Sequence, residues 1–226
     1  HKASEILTAQ FIHLSANIAS AKNIAQKIYE DDMSNIWVGC LDGLYVLRKN
    51  DTHFFRIDLN SRIFNGSRTF VWDIMQQNED TFFIVNSHIC RLTNIRKALS
   101  SRIPDASLIR CEIFPLPEGQ TAYCIYKDRK NNIYIGTEIN LFRQTERKDK
   151  SELSFEIINK SLSDKNEPKT YKYIHGILED RTGMLWTTNY FHGLMKLNKE
   201  SSKFLSYEQL VKKYFIYCAS YCKWKM

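Results

Sequence analysis

The sequence predicts an all-β chain folded as a β-propeller of about four blades, each of four antiparallel strands. Three observations predict it. A strand–turn–strand–hairpin unit recurs along the chain. Its period is close to fifty residues, which is long for a solenoid repeat and right for one propeller blade. The composition is globular, with 43% hydrophobic and 13% aromatic residues in a chain of 226.

The unit is clearest at Ile28–Leu44, IYEDDMSNIWVGCLDGL. An apolar run leads into a polar, turn-forming stretch, Asp31–Asn35. The strand Ile36–Gly39 follows. Asp42-Gly43 is a two-residue hairpin signal, because both residues tolerate the positive φ of tight turns. Leu44–Leu47 is the next strand. Asp128–Leu141 (DRKNNIYIGTEINL) and Asp180–Leu194 (DRTGMLWTTNYFHGL) repeat the unit. Aligned on Asp31, Asp128 and Asp180, an aromatic stands six residues on, at Trp37, Tyr134 and Trp186. An aliphatic stands five on, at Ile36, Ile133 and Leu185, and an isoleucine three before, at Ile28, Ile125 and Ile177. A weaker copy at Val71–Ile89 has Gln77 for the aspartate, with Ile74 and Phe82-Phe83 in register. The register positions 31, 77, 128 and 180 lie 46, 51 and 52 residues apart.

In chain order, Phe11–Leu14 resembles the outermost strand that ends each later repeat. Residues 1–23 are therefore expected to be the end strand of a preceding blade and a linker, with propeller over 24–207. Blade one covers about 24–59, with strands near Ile24–Tyr29, Ile36–Cys40, Gly43–Arg48 and His53–Asp58. A polar connector follows at 60–69. Blade two covers about 70–114 and carries an insertion, Thr93–Leu99, that starts like a helix capped by Thr or Asn. Ile95 and Leu99 are four apart and would pack inward. Pro104 ends the insertion. Blade three covers about 121–159. Asn140 takes the hairpin glycine position there, because Asn also tolerates the left-handed conformation. Arg143–Glu152 reads as a charged, solvated hairpin tip. Blade four covers about 173–207, and its hairpin Asn189–Gly193 has one extra residue. The tail 208–226 departs from the repeat.

Composition narrows the function classes. No run of 18 apolar residues exists, so no segment reads as a membrane helix. A net charge of +7 permits an acidic partner, but the basic residues are dispersed among 25 acids. They form no basic stripe of the kind nucleic-acid binding needs. Cys40, Cys90, Cys111 and Cys124 fall at strand positions as small hydrophobes. Cys218 and Cys222 lack the second pair of a zinc site. No metal, cofactor or catalytic constellation is indicated, since neither a carboxylate pair nor a nucleophile triad stands out.

Ile28–Asp31, Asn35–Gly39 and Gly43-Leu44 resemble the two-component regulator propeller repeat. Ile177–Asp180, Gly183, Leu185-Trp186 and Gly193-Leu194 are similar to it as well. So are Ile125, Asp128, Ile133–Thr137 and Leu141, with Tyr for Trp and Asn for Gly. Thr187-Thr188 departs from the usual Ile-Gly. The resemblance covers about residues 11–207. It implies an incomplete part of a seven-bladed propeller in the periplasmic, extracytoplasmic sensor region of a hybrid two-component histidine kinase. It further implies carbohydrate sensing, a homodimer in the full-length protein, and further blades and kinase parts as partners. No kinase domain is in this chain.

The repeated residues read as structural: Asp31, Asp128 and Asp180 cap a turn, and Trp37 and Trp186 pack between blades. A ligand site is expected among non-repeated residues on the face that carries the hairpin between second and third strands. The candidates are Arg68, Trp72, Tyr123, Glu138, Tyr171, Tyr173, His175, Tyr190, Phe191 and His192. Aromatic faces stack on sugar rings, and Arg, Glu and His bond hydroxyls. The final set is Tyr190, Phe191 and His192 with Tyr171, Arg68 and Glu138, with Trp72, Tyr123, Tyr173 and His175 open to a packing role. Three functions compete: an oligosaccharide-binding sensor segment, a dimerisation or docking scaffold, and a propeller glycosidase or lyase.

Overall fold

The computed structural model of the chain describes residues 24–59, 70–145, 153–158, 173–190, 193–198 and 203–206. The expected end strand in 1–23, the connector 60–69, most of the Arg143–Glu152 tip and the tail 208–226 lie outside these residues. Four four-stranded antiparallel sheets form, each a simple meander. The first holds β1 (Ala25–Glu30), β2 (Ile36–Cys40), β3 (Gly43–Leu47) and β4 (Phe55–Ile57). The second holds β5 (Asp73–Asn78), β6 (Thr81–Val85), β7 (Ile89–Thr93) and β8 (Arg110–Phe114). The third holds β9 (Ala122–Lys127), β10 (Ile133–Thr137), β11 (Leu141–Thr145) and β12 (Ser154–Ile157). The fourth holds β13 (Ile174–Glu179), β14 (Leu185–Asn189), β15 (Gly193–Asn198) and β16 (Lys203–Ser206). They are the blades of a β-propeller, as the period predicts.

Blades cohere through apolar layers between neighbours. Trp37, Leu44, Val46 and Ile57 of the first blade meet Ile74, Phe82, Ile84 and Leu92 of the second. Met75, Phe83 and Val85 meet Ile125, Ile133 and Ile135. Tyr134 and Leu141 meet Ile174, Leu185 and Met195. Alternation along each strand sends one set of side chains to the preceding blade and the other to the following one. The motif aromatics of the first three blades, Trp37, Phe83 and Tyr134, point to the following blade; Trp37 is 1% exposed, with its ring centroid 4.9 Å from that of Phe82.

The aspartate of the repeat does more than cap a turn. Asp31 accepts from the backbone N–H groups of Met33 (3.0 Å) and Asn35 (2.8 Å), from Asn35 Nδ2 (2.9 Å), and from Trp37 Nε1 (2.8 Å). Asp128 repeats this with Lys130, Asn132 and the Tyr134 hydroxyl. Asp180 repeats it with Thr182, Met184 and Trp186 Nε1. One carboxylate thus fixes the turn and orients the inter-blade aromatic. The third turn residue adopts positive φ in all three: Ser34, Asn131 and Gly183.

These bonds set a pH dependence. Burial disfavours ionisation at Asp128, but the bonds from Asn132, Tyr134 and Lys130 outweigh it and hold its carboxyl below the usual range. Bonds from Thr182 and Trp186 lower that of Asp180. A carboxyl lowered on folding stabilises fully above its unfolded value, about 4, and the contribution is lost as pH falls through the folded value. The contribution of these two carboxyls to the urea midpoint is therefore expected to be flat from neutrality to about pH 5 and to fall below about pH 4. In Asp128→Asn the acid decline is expected to be shallower.

Three local expectations are corrected. Cys40 pairs with Gly43, so the first hairpin turns on Leu41-Asp42, one residue earlier than Asp42-Gly43 suggests. The Asp42 carboxylate is drawn to the Tyr45 hydroxyl at 2.7 Å. Asn140 does not adopt the expected left-handed backbone. There the Thr137 hydroxyl accepts from the N–H of Asn140 and donates to Gln120 Oε1, closing the turn by side chain. The insertion does form a helix, α1 (Ile95–Leu99), with Ile95 and Leu99 buried, but its cap Asn94 is left-handed and makes no side-chain cap bond. The helix ends at Ser100, before Pro104. Cys40, Cys90 and Cys124 are buried free thiols. Burial pushes the Cys40 thiol up to about 11, so it packs as a hydrophobe.

Candidate functional site: an aromatic row across three blades

The site grows from a feature of the inner strands. Where β1, β9 and β13 begin, their pairing slips by one residue, at Ala25/Lys27, Ala122/Cys124 and Ile174/Gly176. The skipped residues are Gln26, Tyr123 and His175. A bulged residue leaves the ladder, and its side chain is re-aimed away from the blade layers. All three stand five residues before the motif aspartate. In the second blade that place is held by Trp72, just before β5.

One register position thus presents Gln, Trp, Tyr and His on successive blades, and the last three form a continuous row. Ring centroids are 5.0 Å apart for Phe70 and Trp72, 6.0 Å for Trp72 and Tyr123, and 4.7 Å for Tyr123 and His175. Tyr173 lies 5.8 Å from Tyr123 and stacks on His175. Tyr190 closes the row, 6.4 Å from His175 and 76% exposed. Backbone bonds bring the hairpin tips to this row. Tyr173 N–H donates to Glu138 O at 2.9 Å, and Tyr190 N–H to Tyr173 O at 3.3 Å.

Tyr173 adopts φ 64. Such a conformation is costly for a bulky aromatic and gathers at functional positions. Electrostatics suit neutral, hydroxyl-rich ligands. Desolvation, then the Glu138 charge, raises the Tyr123 phenol above its ordinary value, so it remains a donor. Desolvation lowers the His175 imidazole below its ordinary value, so near neutrality it is uncharged and both donates and accepts. Among the described residues no group of three or more His, Cys, Asp or Glu is placed to hold a metal ion. No helix among them is long and apolar enough to cross a membrane.

Of the predicted site residues, the structure brings Tyr190 and Glu138 to this face. Arg68, Tyr171, Phe191 and His192 lie outside the described residues. Trp72, Tyr123, Tyr173 and His175, for which packing was the competing role, form the middle of the row. Trp72 also packs partly against the layer between the second and third blades. Phe70 was missed. Its legible signal is its place two residues before the position that Trp72, Tyr123 and His175 share.

The fold and the turns define a β-propeller in which three of the four described blades carry the turn aspartate. Residues 115–138 match the two component regulator propeller family. The matched segment contains both Tyr123 of the row and Asp128 of the turn. Comparison with curated proteins finds no match. Among solved structures, the chain is similar to virginiamycin B lyase from Staphylococcus aureus in a catalytically inactive form with quinupristin. The TM-score is 0.56 at 13% identity, over 84% of this chain and 57% of that one. It is also similar to the extracellular domain of a hybrid two component system from B. thetaiotaomicron. There the TM-score is 0.47 at 14% identity, over 84% of this chain and 28% of that one. The chain therefore spans about a quarter to just over half the length of these structures. At such identities the likeness is one of fold.

Proposed function

We propose that this chain is a ligand-sensing propeller segment of a two-component signal-transduction sensor. It lies on the extracytoplasmic, periplasmic side and recognises an oligosaccharide on the aromatic row without transforming it. The observation that carries the reading is the row itself. Three blades present Trp72, Tyr123 and His175 side by side from one register position, and at Tyr123 and His175 that position is a bulge. Rings spaced 4.7 to 6.0 Å apart offer a strip of apolar faces edged by the Tyr hydroxyls, the imidazole and Glu138. Sugar rings have an apolar face and hydroxyl edges, and such a strip serves both. The two-component repeat at 115–138 supports the signalling context. Remaining blades and kinase parts belong to a longer, dimeric protein in this reading.

The test is a thermal melt of the chain against a panel of plant and host oligosaccharides. A ligand that binds only the folded state raises the midpoint by mass action. One glycan class is expected to raise it, with the glycan recovered unchanged. A cooperative melt that no glycan shifts overturns the oligosaccharide reading, and cleavage of the glycan overturns the non-catalytic one.

A further inference from the structure

Two cysteines of the second blade meet on one face of its outer strand pair. β7 and β8 pair with Cys90 opposite Ile113 and Leu92 opposite Cys111. Cys90 and Leu92 are two residues apart and share a face of the sheet, so Cys111 lies on that face too, diagonal to Cys90. Both side chains belong to the apolar layer between the first and second blades, Cys90 buried within it and Cys111 packed at its edge. Both are free thiols in this structure. They lie close enough to share a hydrogen bond, which orders their acidities. That bond, then burial, raises the Cys90 thiol above its ordinary value, and the same bond lowers that of Cys111 against the effect of burial. The half-buried thiol is therefore the readier thiolate, with the buried one beside it.

The pair stands at the root of the insertion. Between β7 and β8 the chain leaves the sheet for α1, and Ile95, Ala98, Leu99 and Ile109 are buried in the same layer as Cys90. Across the seam, Arg48 of the first blade donates to the carbonyl oxygens of Leu99 (2.9 Å), Ser101 (2.6 Å) and Arg102 (2.7 Å). The insertion is thus part of the contact between the first two blades, and a covalent bond between Cys90 and Cys111 closes its root. The sulfurs must still move from hydrogen-bond contact to a bond of about 2 Å. β8 is the outermost strand of its sheet and pairs only with β7 among the described residues, so it is the element free to make that shift.

We propose that Cys90 and Cys111 form a reversible disulfide that fastens the insertion to the seam between the first and second blades. The oxidant is a low-molecular-weight disulfide of the glutathione type. The Cys111 thiolate attacks one of its sulfurs, the oxidant's S–S bond breaks, and one glutathione leaves as a thiolate. Cys90 then gives up its proton to that thiolate, and its sulfur attacks the mixed disulfide at Cys111 and displaces the second glutathione. The protein pair loses two protons and two electrons, and the oxidant gains them as two thiols. The inference is independent of the ligand reading.

The test is treatment of the folded chain with oxidised glutathione, then alkylation of the remaining thiols, trypsin digestion and mass spectrometry. The expected product joins the peptides that hold Cys90 and Cys111 and is lighter than their sum by two hydrogen atoms. Fragment masses are expected to place the link on Cys111 and not on Cys124, which lies in the same tryptic peptide. Dithiothreitol is expected to reverse it. The linked chain is expected to melt roughly 5 °C or more above the reduced one, because the crosslink restricts the unfolded chain. Cys111→Ala, at a half-buried position, is expected to lose both the link and the shift. The mapping of the link on the wild type needs no variant to fold. Four results each overturn the proposal: a folded chain that stops at the glutathione mixed disulfide or stays unmodified, a link that forms only in urea, a linked chain that melts no higher than the reduced one, or a shift that persists in Cys111→Ala.

Discussion

Trp37→Ala is expected to lower the unfolding free energy by about 3–5 kcal/mol, the range for deleting a large buried aromatic. The ring is 1% exposed and packs on Phe82 across the seam. Its Nε1 also satisfies Asp31 Oδ2 at 2.8 Å. Deletion opens a cavity between two blades and removes a donor from a buried carboxylate. Trp37→Phe separates the two losses. It keeps most of the packing and forfeits the donor, at about 1–3 kcal/mol. Trp186→Ala is the internal control, because the same motif position has no following blade to cover it among the described residues. Its cost is expected to be the smallest of the three. Urea midpoints at constant slope measure all of them.

Gly136→Val is the second large effect. A Cβ at Gly136 would stand 2.5 Å from Cys124 Sγ, 2.7 Å from Ile174 Cγ2 and 2.8 Å from the Ile174 carbonyl oxygen. Ile174 starts the inner strand of the fourth blade, so relief of the clash moves that strand off the third. Overpacking of this kind costs about 1–3 kcal/mol, and more where backbone is the obstacle. Gly39 meets the Val71 carbonyl oxygen at 2.8 Å in the same way. Gly119 is the contrasting site. Nothing lies within 4 Å of its Cβ position, so substitution there meets only the strain of its φ of +65. Gly119→Ala is expected to be milder than Gly136→Ala.

The blades were legible because their signal is repeated. The strand Ile36–Cys40 is observed with the bounds that its residues suggest. The Asp–aromatic spacing of six was visible three times, but its meaning as a hydrogen bond needed the turn geometry. Turns were less legible. Asp42-Gly43 marks a hairpin yet does not fix its register, because Gly43 serves as the first strand residue and Leu41 enters the loop. At Asn140 the sequence offers a residue that tolerates positive φ, while the structure spends the Thr137 hydroxyl instead. The row was half legible. Trp72, Tyr123 and His175 share a register position that a repeat alignment exposes. What sequence does not carry is the slip in pairing that turns Tyr123 and His175 out of the blade layers. Inner-strand aromatics usually serve burial, so the loop residue Tyr190 drew more weight than the bulged residues beside it.

The aromatic row is the proposed ligand-binding surface. The most direct measurement is a calorimetric titration of the glycan class that raises the melting midpoint, against wild type and Tyr123→Ala. Tyr123 stands in the middle of the row and is half-exposed, so truncation leaves the blade seams intact. The predicted result is a loss of affinity of at least tenfold, about 1.4 kcal/mol, with an unchanged urea midpoint. Undiminished affinity in Tyr123→Ala would contradict the account and move the site off the row.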